Sequence, residues 1–167
     1  MDSVPERKIR PRLLSILCFL SLLGGSWGLM SNLGNLENAD KLATLTAQTI
    51  EETRDRMMLN LPGDARTKKS MTAIFEDFTV LTDTVKIKQM ALFGILSNLL
   101  TLVGAVLMYR LRKNGFGIYI LGIAVYVAAP VVVYGFNNIA GISFFVFTLF
   151  ISLVFGLLYA KNRKYLS

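Results

Sequence analysis

The sequence predicts an all-α integral membrane protein: a four-transmembrane-helix bundle with an extracytoplasmic helical hairpin between spans one and two. Three observations predict it. No Asp, Glu, Lys or Arg occurs from Asn114 to Ala160, a run about twice the roughly 20 residues that cross a bilayer. Two further uncharged stretches, Leu13 to Leu36 and Gln89 to Tyr109, are each long enough to cross alone. Between them lie about 50 residues, too many for a structureless connection, carrying two helix-periodic apolar stripes on either side of Pro62-Gly63. With 167 residues, 53% of them hydrophobic, and a mean hydropathy of +0.52, the chain builds one membrane domain over 1–167 and no second globular unit.

Span one is placed at about 13–34. A basic start followed by Leu13 to Leu23 and then Gly24-Gly25-Ser26 also has the layout of a signal peptide. The apolar stretch continues through Leu29, Met30, Leu33 and Leu36 without an A-x-A site, which favours a retained span. An acylated-cysteine reading of Cys18 is disfavoured by Leu17, which stands where a small residue is needed. Cys18 is the single cysteine, so no disulfide forms within one chain.

The hairpin is placed at about 38–87. Leu42, Ala43, Thr46, Ile50, Met57 and Leu61 recur at helical spacing, with Glu51, Glu52 and Asp55 mostly on the other faces. After the Pro62-Gly63 turn, Met71, Ile74, Phe75, Phe78, Leu81, Val85 and Ile87 form a second stripe, with Thr67 or Ser70 to cap it. Two antiparallel amphipathic arms that run on into the adjoining spans would stand roughly 35 Å out from the membrane, at 1.5 Å per residue. The rival, helices lying flat on the outer leaflet, is partly matched only by the second arm with Phe75 and Phe78.

Spans two, three and four, at about 89–109, 116–135 and 141–160, are joined by short turns and are therefore antiparallel neighbours. Small residues four apart mark candidate packing faces: Gly24 and Gly28; Ser97, Thr101 and Ala105; Ala124 and Ala128; Ser152, Gly156 and Ala160. A bundle needs such faces internally, so they do not by themselves call for a homodimer. Trp27, Tyr109, Tyr119, Tyr134 and Tyr159 are expected to form an interfacial belt.

Charge placement sets the orientation. Arg7, Lys8, Arg10 and Arg12 precede span one, Arg110, Arg112 and Lys113 follow span two, and Lys161, Arg163 and Lys164 follow span four. These segments alternate to one side, whereas the loop 37–88 balances eight basic against nine acidic residues. By the positive-inside rule both termini are cytoplasmic and the hairpin is outside, in the cell membrane. The same asymmetry excludes dual-topology insertion, and it accounts for the net charge of +7 without nucleic acid.

Among polar residues within the spans, Asn98 is the leading candidate, flanked by Ser97 and Thr101. As structural glue it bonds a neighbouring helix; as function it lines a polar path. Pro130 is the candidate kink in span three, freeing a carbonyl near Tyr126. Asn137 and Asn138 belong to the outer turn, with weak ion binding as the rival reading. The chain has no histidine, no cysteine cluster and no carboxylate within a span, and it lacks Walker-type and dinucleotide glycine patterns. No catalytic, cofactor-binding or metal residue is therefore expected. Glu51, Glu52 and Asp55 could gather a divalent cation, but charges on a soluble arm ordinarily form its solvated face.

The stretch Tyr109-Arg-Leu-Arg-Lys-Asn-Gly-Phe-Gly-Ile-Tyr119, a basic turn into a span that reaches Pro130, resembles a pattern in small uncharacterised bacterial four-span inner-membrane proteins. The resemblance covers spans two to four, implies that topology, and carries over no activity. The expectation is thus a non-enzymatic inner-membrane protein acting by protein–protein interaction through the hairpin, as an accessory, assembly or sensory subunit. Phe75, Phe78, Glu51, Glu52 and Asp55 are its candidate surface, and the bilayer plus a protein partner or a second copy are its partners. The alternative is a small oligomeric channel or facilitator whose path is lined by spans two and three through Asn98, Thr101 and the Pro130 kink.

Overall fold

The computed structural model describes residues 12–60, 65–162 and 165–166. Among these the regular structure is all helical, as α1 (Arg12–Glu37), α2 (Ala39–Asn60), α3 (Ala65–Phe78), a 3₁₀ turn (Thr79–Thr82), α4 (Thr84–Tyr109), α5 (Asn114–Tyr134) and α6 (Ile139–Asn162). Helices α1, α4, α5 and α6 are long and apolar enough to cross a membrane, which fits a multi-pass membrane protein. Their outward faces carry Leu96, Val103, Phe147, Phe150 and Leu157, all exposed, where a helix in water would place polar groups. Arg7, Lys8, Arg10, Arg163, Lys164 and the Pro62-Gly63 turn lie outside the described residues.

The spans run longer than their uncharged stretches, because a helix continues wherever each N–H finds the carbonyl four residues earlier, charged side chains included. Between α1 and α2 that chain of bonds barely breaks: Asn38 N–H donates to Gly34 O at 2.9 Å, and Leu42 N–H donates to Asn38 O at 2.9 Å. The second arm behaves differently. Its stripe does not run on to Ile87 as one helix, because the Asp83 carboxylate accepts from Val85 N–H at 2.8 Å and caps α4. Val85 and Ile87 accordingly belong to α4.

The arms pack antiparallel. Met57 and Asn60 share a groove with Met71, while Ala47 and Ile50 share one with Phe75 and Thr79. Thus Phe75 turns toward the seam between the arms, and Phe78 is half-buried. Lys88 and Asp40, 3.9 Å apart, join the base of α2 to the start of α4.

Within the membrane part α4 and α5 form the most extensive interface, α1 packs on α4, and α6 packs on α5. α1 and α6 meet over a short distance only, so the four helices form an open arc. The turn 110–113 reverses the chain with Leu111 at φ 60°, Leu111 N–H donating to Met108 O and Arg112 N–H to Leu107 O. At the opposite end Gly135 takes φ 78°, a left-handed backbone that its missing Cβ permits, and Asn138 starts α6. The Asn138 side chain accepts from Gly141 N–H at 2.6 Å and donates to Tyr134 O at 2.6 Å. It is a helix cap, which accounts for its place in the turn without an ion. Ile139 N–H also donates to an Asp77 carboxylate oxygen at 3.4 Å, tying the end of α3 to the start of α6.

Candidate functional site, a polar crevice among the spans

The seam between α1 and α4 is built on an exchange of Asn and Gly. Gly28 and Asn32 lie one turn apart on α1, as Gly94 and Asn98 do on α4. Since the helices are antiparallel, Asn98 lies over Gly28 and Asn32 over Gly94: a Cβ on Gly28 would stand 2.8 Å from Asn98 Oδ1, and a Cβ on Gly94 would overlap the Asn32 amide. Each Asn donates one amide hydrogen to the Gly carbonyl of its own preceding turn, Asn32 to Gly28 O at 2.7 Å and Asn98 to Gly94 O at 2.8 Å. Bare glycine surface opposite each amide lets the helices approach.

The adjoining face of α4 docks on α5. Ser97 Oγ, 4% exposed, donates to Gly122 O of α5 at 2.8 Å. The Thr101 hydroxyl satisfies itself on Ser97 O and Asn98 O of its own helix. Glycines make this interface tight: Gly104 lies against the Tyr119 backbone, Gly115 against Met108 N, and Gly122 against Thr101. Helix α5 continues through Pro130, which is buried and leaves Tyr126 O without an N–H four residues on.

These contacts bring the three polar candidates together. Ser97, Asn98 and Thr101 line one cavity of about 260 Å³ with Gly24, Gly28 and Asn32 of α1, Tyr126 of α5 and Ser152 of α6. The polar residues of span two therefore face a space walled by all four spans, with Ile123 and Tyr126 contributed by span three, beside the glycine contacts that hold spans two and three together. Pro130 does not line this cavity. Asn32 is the functional candidate that sequence reasoning missed. The repeated Gly-x-x-x-Asn string in spans one and two was the available signal.

Other expectations need correction. Tyr119 and Tyr159 are not an interfacial belt: they are buried, their ring centroids 4.5 Å apart, and the Ser21 hydroxyl lies 3.2 Å from one phenolic oxygen and 2.8 Å from the other. With Leu14, Leu17, Cys18, Met108 and Leu166 they form the core. Trp27, 78% exposed, neighbours Gly28 at the level of Asn98, near mid-span. Gly24 packs on nothing, and Gly25 replaces it as the contact with α4, against Leu102. Ala124 and Ala128 are exposed.

On the arms, Asp55 pairs with Arg54 at 3.1 Å and Glu52 with Arg56 at 3.9 Å, while Glu51 lines the groove that contains Phe75. Among the described residues no group of three or more His, Cys, Asp or Glu side chains is placed to hold a metal ion. Surface pairs of this kind contribute little stability.

Among the described residues the fold and site thus define a class, an all-helical protein with four membrane-length apolar helices and a polar crevice between them. No protein-family model, curated protein or solved structure matches this chain.

Proposed function

We propose that the protein acts without catalysis, by protein–protein contact through the α2–α3 arm, with the arm outside the cell membrane and both termini inside. The observation that carries this reading is the unpartnered surface of the arm. α3 buries no residue, α2 buries only Ala39 and Ala43 near its base, and Leu45, Met57, Leu59 and Ile74 are exposed. Apolar side chains held out among charged ones favour a partner surface, since covering them removes apolar area from water. Phe75 shapes the arm from within its seam; the exposed residues, with Glu52 and Asp55, supply the contact.

Replacing Leu45 through Phe78 by a short Gly/Ser bridge keeps the base of α2 and the 3₁₀ turn. This variant is expected to insert normally and to lose recovery of a partner from mild detergent, while Asn98→Leu retains it. Recovery by the deletion variant overturns the proposal. Orientation is read separately, with Leu59→Cys, at a position 85% exposed, in a chain whose own Cys18 is fully buried. An impermeant maleimide is expected to label it in intact cells; labelling only after lysis reverses the topology.

The second reading, a facilitator, draws on the polar crevice. It predicts solute flux in liposomes that survives the arm deletion and falls with Asn98→Leu.

A further inference from the structure

The crevice holds hydrogen-bonding capacity that its own residues do not consume. Asn32 and Asn98 each donate a single amide hydrogen to a carbonyl of their own helix, which leaves a second N–H and the Oδ1 acceptor on each. Among the described residues no hydrogen bond engages the Tyr126 or Ser152 hydroxyl, and both side chains line the same cavity. Asn98 lies nine residues from Gln89 and eleven from Tyr109, so at 1.5 Å per residue the site is about 15 Å from either end of the uncharged stretch. Polar groups at that depth favour an occupant that can hydrogen-bond, because hydrocarbon cannot.

Three features narrow the occupant. The lining has no charged residue, and a charged group brought to mid-span without a counter-charge is strongly disfavoured, so the bound group is neutral. The crevice is bordered by Gly24, which is exposed with open space where a Cβ would stand, and about one turn along α1 Ser21 meets Tyr159 of α6. Finally, an apolar groove of about 390 Å³ runs between α5 and α6, and Ile123 and Ser152 are wall residues of both spaces. A polar chamber adjoining an apolar groove at Ile123 and Ser152 matches a molecule with a polar head and a hydrocarbon chain.

We propose that this composite site binds a neutral, hydroxyl-bearing membrane amphiphile of the diacylglycerol class, its head against Asn32, Asn98 and Tyr126 and one chain in the α5–α6 groove. The inference is independent of the arm and of its partner.

The test uses full-length protein in phosphatidylcholine nanodiscs containing diacylglycerol with a diazirine in one acyl chain, with cross-links mapped by peptide mass spectrometry. Wild type is expected to label on α5 and α6 residues of the groove. Gly24→Leu fills open space, and Tyr126→Phe removes one hydroxyl while keeping the ring. The first is expected to abolish groove labelling; the second is expected to cut it by up to roughly tenfold, the loss of one hydrogen bond. A thermal melt like that of wild type shows that each variant folds, and Tyr126→Phe carries the test if Gly24→Leu does not fold. Phosphatidylglycerol with the same diazirine chain is expected not to label the groove, and excess free glycerol is expected not to displace the probe. Equal labelling of wild type and both folded variants, equal labelling by the charged lipid, or displacement by glycerol overturns the proposal.

Discussion

Gly104→Val is expected to separate α4 from α5 and to lower the thermal midpoint in detergent sharply. A Cβ at this position would meet Tyr119 N at 2.7 Å and Tyr119 Cα at 2.8 Å. Backbone of a packed helix cannot swing aside as a side-chain tip can, so the whole interface must open, at a cost of about 3 kcal/mol or more. Gly117 supplies the control, since nothing lies within 4 Å of its Cβ position. Gly117→Ala is expected to leave the midpoint unchanged or to raise it, by up to about 1 kcal/mol of helix propensity. Equal loss in the two variants would show that the close approach at Gly104 is not what holds α4 to α5.

Tyr159→Ala is expected to be the second severe change, because this ring is 1% exposed and joins α6 to both α1 and α5. Removing it leaves a cavity in the core and takes the aromatic partner from Tyr119, a loss of about 3 to 5 kcal/mol. Tyr159→Phe keeps the ring and removes the hydroxyl, with its 2.8 Å bond to Ser21 and its contact with Cys18, so about 1 kcal/mol is expected. The pair is read by thermal unfolding in one detergent. A Phe variant as unstable as the Ala variant would place the energy in the hydrogen bonds of the hydroxyl rather than in packing. Since α1 and α6 meet over so short a distance, the Ala variant should also expose Cys18 to small thiol reagents.

The two severe changes show where sequence reasoning stops. That Gly104 faces Tyr119 follows from the rotation of α4 against α5, which no spacing within α4 records. Small-residue spacing was an ambiguous guide for the same reason: it nominated Gly24, Ala124 and Ala128, all of them exposed, while Gly25, Gly104 and Gly122 make the contacts. The tyrosines failed differently. An amphipathic ring near a span end suits an interface or a buried pair equally well, and the choice for Tyr119 and Tyr159 rests on Ser21, more than 90 residues away in the chain. Asp83 was legible as a helix start, with Thr82 and Thr84 beside it, but the apolar stripe running past it masked the cap.

What the sequence determined by itself is the set of elements. Charge is absent from α1, α4, α5 and α6 over lengths that match a bilayer, and transfer cost alone makes such segments spans whatever they later touch. Helical periodicity in the arms is equally local. Tertiary structure alone decided which face of each span meets which neighbour. In lipid, hydrophobic patterning no longer separates an inner face from an outer one, so helix rotation is settled by close packing and hydrogen bonds between residues distant in the chain. That is why Asn98 could be singled out from the sequence, whereas its seat on Gly28, its counterpart Asn32 over Gly94, and the crevice they share with Tyr126 and Ser152 could not.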